Sequence, residues 1–182
     1  MAKKSDKLSK RSADNPHLLR SRDIGARQQT FSHPWNPNSE ITGVMMGRML
    51  GLKRLGVSIA RIAPGKESFV PHTHHREEEW LYILMGLGRA LIGEDEIDVG
   101  AGDFMAFPTP SVTHHLTNIG AEDLVYLMGG ENLDVEISDF PTVGRRVVRM
   151  NGQATVYDLA DGKPFGAPPP GKKSKKKKSK KG

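Results

Sequence analysis

Hydrophobic and polar positions along this chain alternate in short stretches, broken by turn markers at roughly ten-residue spacing. Leu55-Gly56-Val57-Ser58-Ile59-Ala60-Arg61-Ile62 alternates and stops at Pro64-Gly65. Glu79 opens the apolar run Trp80-Leu81-Tyr82-Ile83-Leu84-Met85, which closes at Gly86 and predicts a buried strand. Residues 89–92 and 96–99 flank the acidic turn Gly93-Glu94-Asp95. Phe104-Met105-Ala106-Phe107 ends at Pro108, and Leu124-Val125-Tyr126-Leu127-Met128 ends at Gly129-Gly130. Short runs with period two are strands, and turns at this spacing mark a sandwich or barrel. No helical periodicity competes, and no internal repeat is present. The prediction is an all-β fold.

Two of these turn regions are rich in histidine. The first reads Pro71-His72-Thr73-His74-His75-Arg76-Glu77-Glu78-Glu79, the second Pro108-Thr109-Pro110-Ser111-Val112-Thr113-His114-His115. On a strand, residues two apart face the same side, so His72 and His74 can reach one point while Thr73 turns away. His114, Leu116 and Asn118 share a face in the same way. Imidazole with carboxylate suits a borderline or hard divalent metal, and three histidines with Glu79 would leave positions open for a ligand. His75 and His115 break the parity and are expected behind the site or at the surface. Glu77 and Glu78 are expected in a solvated turn. The helical zinc signature His-Glu-x-x-His is absent.

These residues resemble the two motifs of the cupin superfamily. The first motif maps onto Gly65, His72, His74, Glu79 and Gly86, the second onto Gly102, Pro108, His114 and Asn118. This chain has one extra residue between Gly65 and His72, and Pro110 where the family has glycine. The resemblance covers about residues 50 to 130 and implies a double-stranded β-helix, or jelly-roll barrel. It also implies that His72, His74, Glu79 and His114 bind one divalent transition metal: Mn, Fe, Ni, Co or Zn. It is closest in style to small single-domain cupins of the sugar-phosphate-isomerase-like group. By parity, Val70, Leu81, Ile83, Phe107, Leu116 and Asn118 are expected to line a mostly apolar pocket. Tyr126 and Arg61 are the candidates for proton transfer.

Composition sets the remaining bounds. No cysteine is present, so neither a disulfide nor a thiolate metal site can form. The absence of an apolar run near membrane-spanning length, and of an apolar stretch after the basic N-terminus, leads to a cytoplasmic expectation. The chain carries +6 overall; with +8 on the tail from Lys172 to Lys181 and +4 on residues 1–12, the body carries −6. The expected organisation is therefore a disordered basic tail over 1–16, a single domain over 17–165, and a Pro/Gly spacer with a disordered lysine tail over 166–182. Segments flanking the motif core are expected either to wrap their own barrel or to pair two chains as a homodimer. The lysine tail could add weak, salt-dependent attraction to polyanions. Two readings of function follow: a metal-dependent enzyme on a small oxygenated substrate, of isomerase, dioxygenase or decarboxylase type, and a small-ligand-binding or sensor module without turnover.

Overall fold

The computed structural model describes residues 15–166, so both expected tails lie outside the described residues apart from Asn15, Pro16 and Gly166. In chain order the strands are β1 (Gln29–Phe31), β2 (Ile41–Val44), β3 (Leu55–Ile62), β4 (Thr73–His74), β5 (Glu79–Met85), β6 (Leu87–Ile92), β7 (Asp95–Gly100), β8 (Phe104–Phe107), β9 (His114–Asn118), β10 (Leu124–Glu131), β11 (Val135–Phe140), β12 (Arg145–Met150) and β13 (Gln153–Asp158). Among the described residues, two short helices, α1 (Ser21–Ala26) and α2 (Met46–Met49), belong to the N-terminal segment.

Three antiparallel sheets build a jelly-roll sandwich. The largest runs β1-β2-β3-β10-β5-β8, a second runs β13-β12-β11-β4, and a third runs β7-β6-β9. The two smaller sheets meet where His72 and His114 exchange backbone hydrogen bonds, at 3.2 and 2.9 Å. Inward side chains of β3, β5 and β10 then pack against those of β6, β7 and β9. Ile62, Ile83, Ala90, Leu116 and Leu124 share one core. Segments on both sides of the motif region wrap this barrel: β1 and β2 extend the large sheet, and β11 to β13 build most of the second.

Period-two burial explains why these segments are strands. In β9 the buried residues are His114, Leu116 and Asn118. In β5, Leu81 and Ile83 are buried, whereas Tyr82 and Leu84 are 38% and 41% exposed. The apolar run is therefore not a strand buried on both faces. Nor does β10 stop at its glycines; it continues to Glu131. Side chains could not fit there. The Trp80 ring occupies the space of a Gly129 Cβ, and the Glu78 carbonyl lies 2.8 Å from where a Gly130 Cβ would stand.

Asn118 closes the barrel. Its amide donates to the carbonyls of Ile62 and Glu122, at 2.7 and 2.8 Å, and its oxygen accepts from Gly120 N–H at 2.8 Å. Its amide group thus ties the end of β9 to β3 and to its own following loop, and it does not line the void described below.

Candidate metal centre

The four expected ligands come together. His72 precedes β4, His74 ends it, Glu79 begins β5 and His114 begins β9. One nitrogen or oxygen from each lies within 4.8 Å of the others. Glu79 Oε2 is 2.9 Å from His74 Nε2 and 3.6 Å from His114 Nε2. The backbone bridge between His72 and His114 holds two of the rings side by side, their centroids 4.4 Å apart.

Each imidazole is oriented from behind. Nδ1 of His72 lies 2.8 Å from the Val70 carbonyl, Nδ1 of His114 3.1 Å from that of Val112, and Nδ1 of His74 3.2 Å from Glu136 Oε1. Carbonyl and carboxylate oxygens only accept, so each Nδ1 carries a proton and each Nε2 is left as the ring atom available to a ligand. Nε2 of His74 and of His114 are buried beside Glu79. Buried ring nitrogens beside a carboxylate form a donor set that could hold a divalent ion.

Electrostatics keep that set in ligand form. Burial, helped by the nearby His114, pushes the His72 pKa down to about 3, so the ring stays neutral. Burial alone would raise the Glu79 carboxyl, yet its contacts with His114 and His74 outweigh burial and hold it well below the usual carboxylate range. His74 is the exception: burial opposes its charge, but Glu79 on one side and Glu136 on the other raise its pKa.

A void of about 20 Å³ adjoins the centre, and Leu81, Phe107, Leu116 and Tyr126 are among its walls. Phe107 stacks on His114 with centroids 4.0 Å apart. Burial and then the Glu79 charge raise the Tyr126 phenol, so it keeps its proton. Three of the six expected pocket residues do not line this void. Ile83 is buried deeper in the core, Val70 contributes only the carbonyl that holds His72, and Asn118 is the barrel tie described above. Arg61 is also excluded from the site. It faces outward between Ala60 and Ile62 and pairs with Asp123 at 2.9 Å.

The neighbouring residues divide between surface and interior. His75 sits at the surface on Asp139, 2.9 Å away. His115 tucks its ring beside Glu67 at 3.5 Å and contributes to the void wall. Glu78 is exposed, but Glu77 is buried, contrary to the solvated turn expected for it. Its carboxylate accepts from Leu133 N–H at 2.6 Å and pairs with Arg149.

Two supporting groups were not visible from the motifs. Glu136, on β11 and only 3% exposed, accepts from His74 and from the backbone N–H groups of His75, Arg76 and Glu77. A single carboxylate inside the apolar pair Val135 and Ile137 was its only signal. The second group is aromatic. Phe140 stacks on His72 at 5.7 Å, Phe69 meets the same ring edge-on, and Trp35 and His33 pack behind Phe140.

Known proteins share this architecture. The cupin domain family matches residues 58–130. A solved structure from Acidithiobacillus ferrooxidans, provisionally described as a sugar phosphate isomerase, is 34% identical with a TM-score of 0.78, covering 82% of this chain and 97% of that one. The chain belongs to the cupin superfamily. A further cupin, described as a sugar phosphate isomerase from Silicibacter pomeroyi, shares the fold at 18% identity and TM-score 0.67, covering 76% of this chain and 90% of that one. A germin-like protein (subfamily 1 member 5) of Arabidopsis thaliana is 36% identical over 101 residues, half of this chain. The present cupin spans 45% of that protein's length. Among the described residues, no helix is long and apolar enough to cross a membrane.

Proposed function

We propose that this cupin is a metal-dependent enzyme acting on a small oxygenated substrate, with His72, His74, Glu79 and His114 as the ligands of one divalent transition ion. The observation carrying the reading is the shared setting of the three imidazoles: every Nδ1 is spent on an acceptor, the Nε2 atoms of His74 and His114 lie 2.9 and 3.6 Å from Glu79 Oε2, and His72 brings a ring nitrogen within 4.8 Å of the same group. When bound, such an ion supplies Lewis acidity toward a substrate oxygen. The chain's own residues do the rest. Leu81, Phe107 and Leu116 exclude water, and Tyr126 holds a proton beside Glu79. Sugar phosphate isomerisation, named for two relatives, is one candidate reaction beside dioxygenase and decarboxylase chemistry. One observation favours the alternative of ligand binding without turnover: besides the ligand set, Ser68, His115 and Tyr126 are the void's few side chains that can carry a proton. A homodimer remains part of the proposal, supported by the fully exposed edge strand β13.

The test is a cobalt-substituted sample titrated with azide and oxalate. The visible spectrum should shift, because four protein ligands leave a five- or six-coordinate sphere open. Leu81→Phe should weaken that response while metal content stays at one equivalent. A tetrahedral spectrum indifferent to every added anion would mark a closed structural site and end the enzyme reading.

Glu136 provides a second check. Glu136→Ala leaves Nδ1 of His74 and the backbone N–H groups of Arg76 and Glu77 without their acceptor, while His75 N–H keeps the Ile137 carbonyl, and should weaken metal affinity by about 10–100-fold. Glu136→Gln keeps an acceptor oxygen and should recover part of the loss. Competition with a chromophoric chelator measures both. Equal affinity in all three proteins would show that His74 needs no support.

A further inference from the structure

The N-terminal segment borders an open pocket that the metal centre does not account for. The end of α1, β1, β2 and α2 flank a space of about 720 Å³ beside β3. This is within the size range of small-molecule sites, about 300–1,000 Å³. Ile41, Val44, Ile59 and Ala60 are among its apolar lining, and Gln28, Gln29 and Ser58 among its polar lining. Two charged residues line it, Arg27 and Arg48, and no carboxylate does. Both arginines are exposed, and neither forms an ion pair among the described residues. In a body that carries a net −6, two unpaired guanidiniums over this lining are a local reversal of sign. Phe69 and Met128 line both this pocket and the void beside the metal ligands. The two spaces are therefore neighbours across two side chains.

We propose that this pocket binds an amphipathic organic anion, with its carboxylate or phosphate on Arg27 and Arg48, its apolar body on β2 and β3, and its far end at Met128. Guanidinium forks suit either head, and charge-assisted contacts are the strong ones. Against the apolar part of the lining a polyhydroxylated body is disfavoured: the side chains of Ile41, Val44, Ile59 and Ala60 offer no donor or acceptor, so sugar hydroxyls buried against them go unpaired. The chain's own tails are poor occupants, since both carry the same positive sign as the rim. The inference rests on the metal-centre reading only for what the far end of the ligand meets.

Calorimetry on the full chain tests this, in chelator-treated and metal-reloaded forms. The probes are hydrocinnamate, its neutral counterpart hydrocinnamyl alcohol, phenyl phosphate and glucose 6-phosphate. The two apolar anions should bind the chelator-treated protein about tenfold more tightly than the alcohol or the sugar phosphate, and the tighter of the two identifies the preferred head. The double variant Arg27→Gln/Arg48→Gln should weaken the anions by about tenfold or more, leaving metal content and alcohol binding unchanged. Equal binding of acid and alcohol, tighter binding of the sugar phosphate, or full anion affinity in the double variant would each overturn the proposal. Failure of the metal reading looks different: no stoichiometric metal, with hydrocinnamate still bound.

Discussion

A variant with both His72 and His74 replaced by alanine should purify as a folded protein with less than about a tenth of an equivalent of metal. Loss of a group that merely supports a ligand costs about 10–100-fold in affinity, and here two direct ligands vanish together. The remaining pair, Glu79 and His114, are 3.6 Å apart and cannot complete a coordination sphere. The fold should persist because the shared core of Ile62, Ile83, Ala90, Leu116 and Leu124 does not pass through either imidazole. The backbone bridge at His72 also survives the change, since it uses main-chain groups. Metal analysis and circular dichroism on the same sample separate the two effects. Wild-type metal content in this variant would remove the ligand assignment altogether.

The largest effect on stability is expected far from any ligand, at Gly86. Its φ is +89°, and an added Cβ would stand 2.6 Å from the Asp123 carbonyl and 2.8 Å from the Leu124 Cα. The left-handed backbone costs an L-residue roughly 1–2 kcal/mol. The clash adds about 1–3 kcal/mol, because the atoms it meets are backbone and cannot swing aside. Gly86→Ala should therefore lose on the order of 3 kcal/mol, or about 10 °C in Tm for a chain of this size. Gly65 is the control. It also has positive φ, +73°, but nothing lies within 4 Å of its added Cβ. Gly65→Ala should cost only the conformational part. Equal losses at the two positions in urea titrations would show that crowding at Gly86 is relieved elsewhere.

What could be read from the sequence was what local periodicity controls. β3 has the bounds its alternation suggested, β5 runs from Glu79 to Met85 as read, and His72, His74, Glu79 and His114 converge. Parity names the face of a strand but not the depth along the barrel. Ile83 and Asn118 thus share a face with site residues yet lie away from the void. A run of three acids reads as solvated because solvent is its usual partner; Glu77 instead meets Arg149, 72 positions along the chain. The flanking segments gave no pattern because little of them is buried. All three residues of β1 and all six of β13 are exposed, so pairing alone makes them strands. Glu136 and Phe140 are buried, but on β11, and what buries them is distant in sequence: the turn after His74 for the first, His33, Trp35 and His72 for the second.

The seam between the two smaller sheets also bears on the order in which the chain can acquire its metal. His72 and His114 become neighbours only when a loop of some forty residues closes, and His74 is braced only after β11 has returned from further still. Three of the proposed donors, His72, His74 and Glu79, lie within eight residues of one another, so an ion could meet a partial set early. The fourth, His114, joins them only through long-range strand pairing, so a complete set would follow that pairing. On the proposed ligand set, a chain that holds the ion tightly has already joined its two smaller sheets.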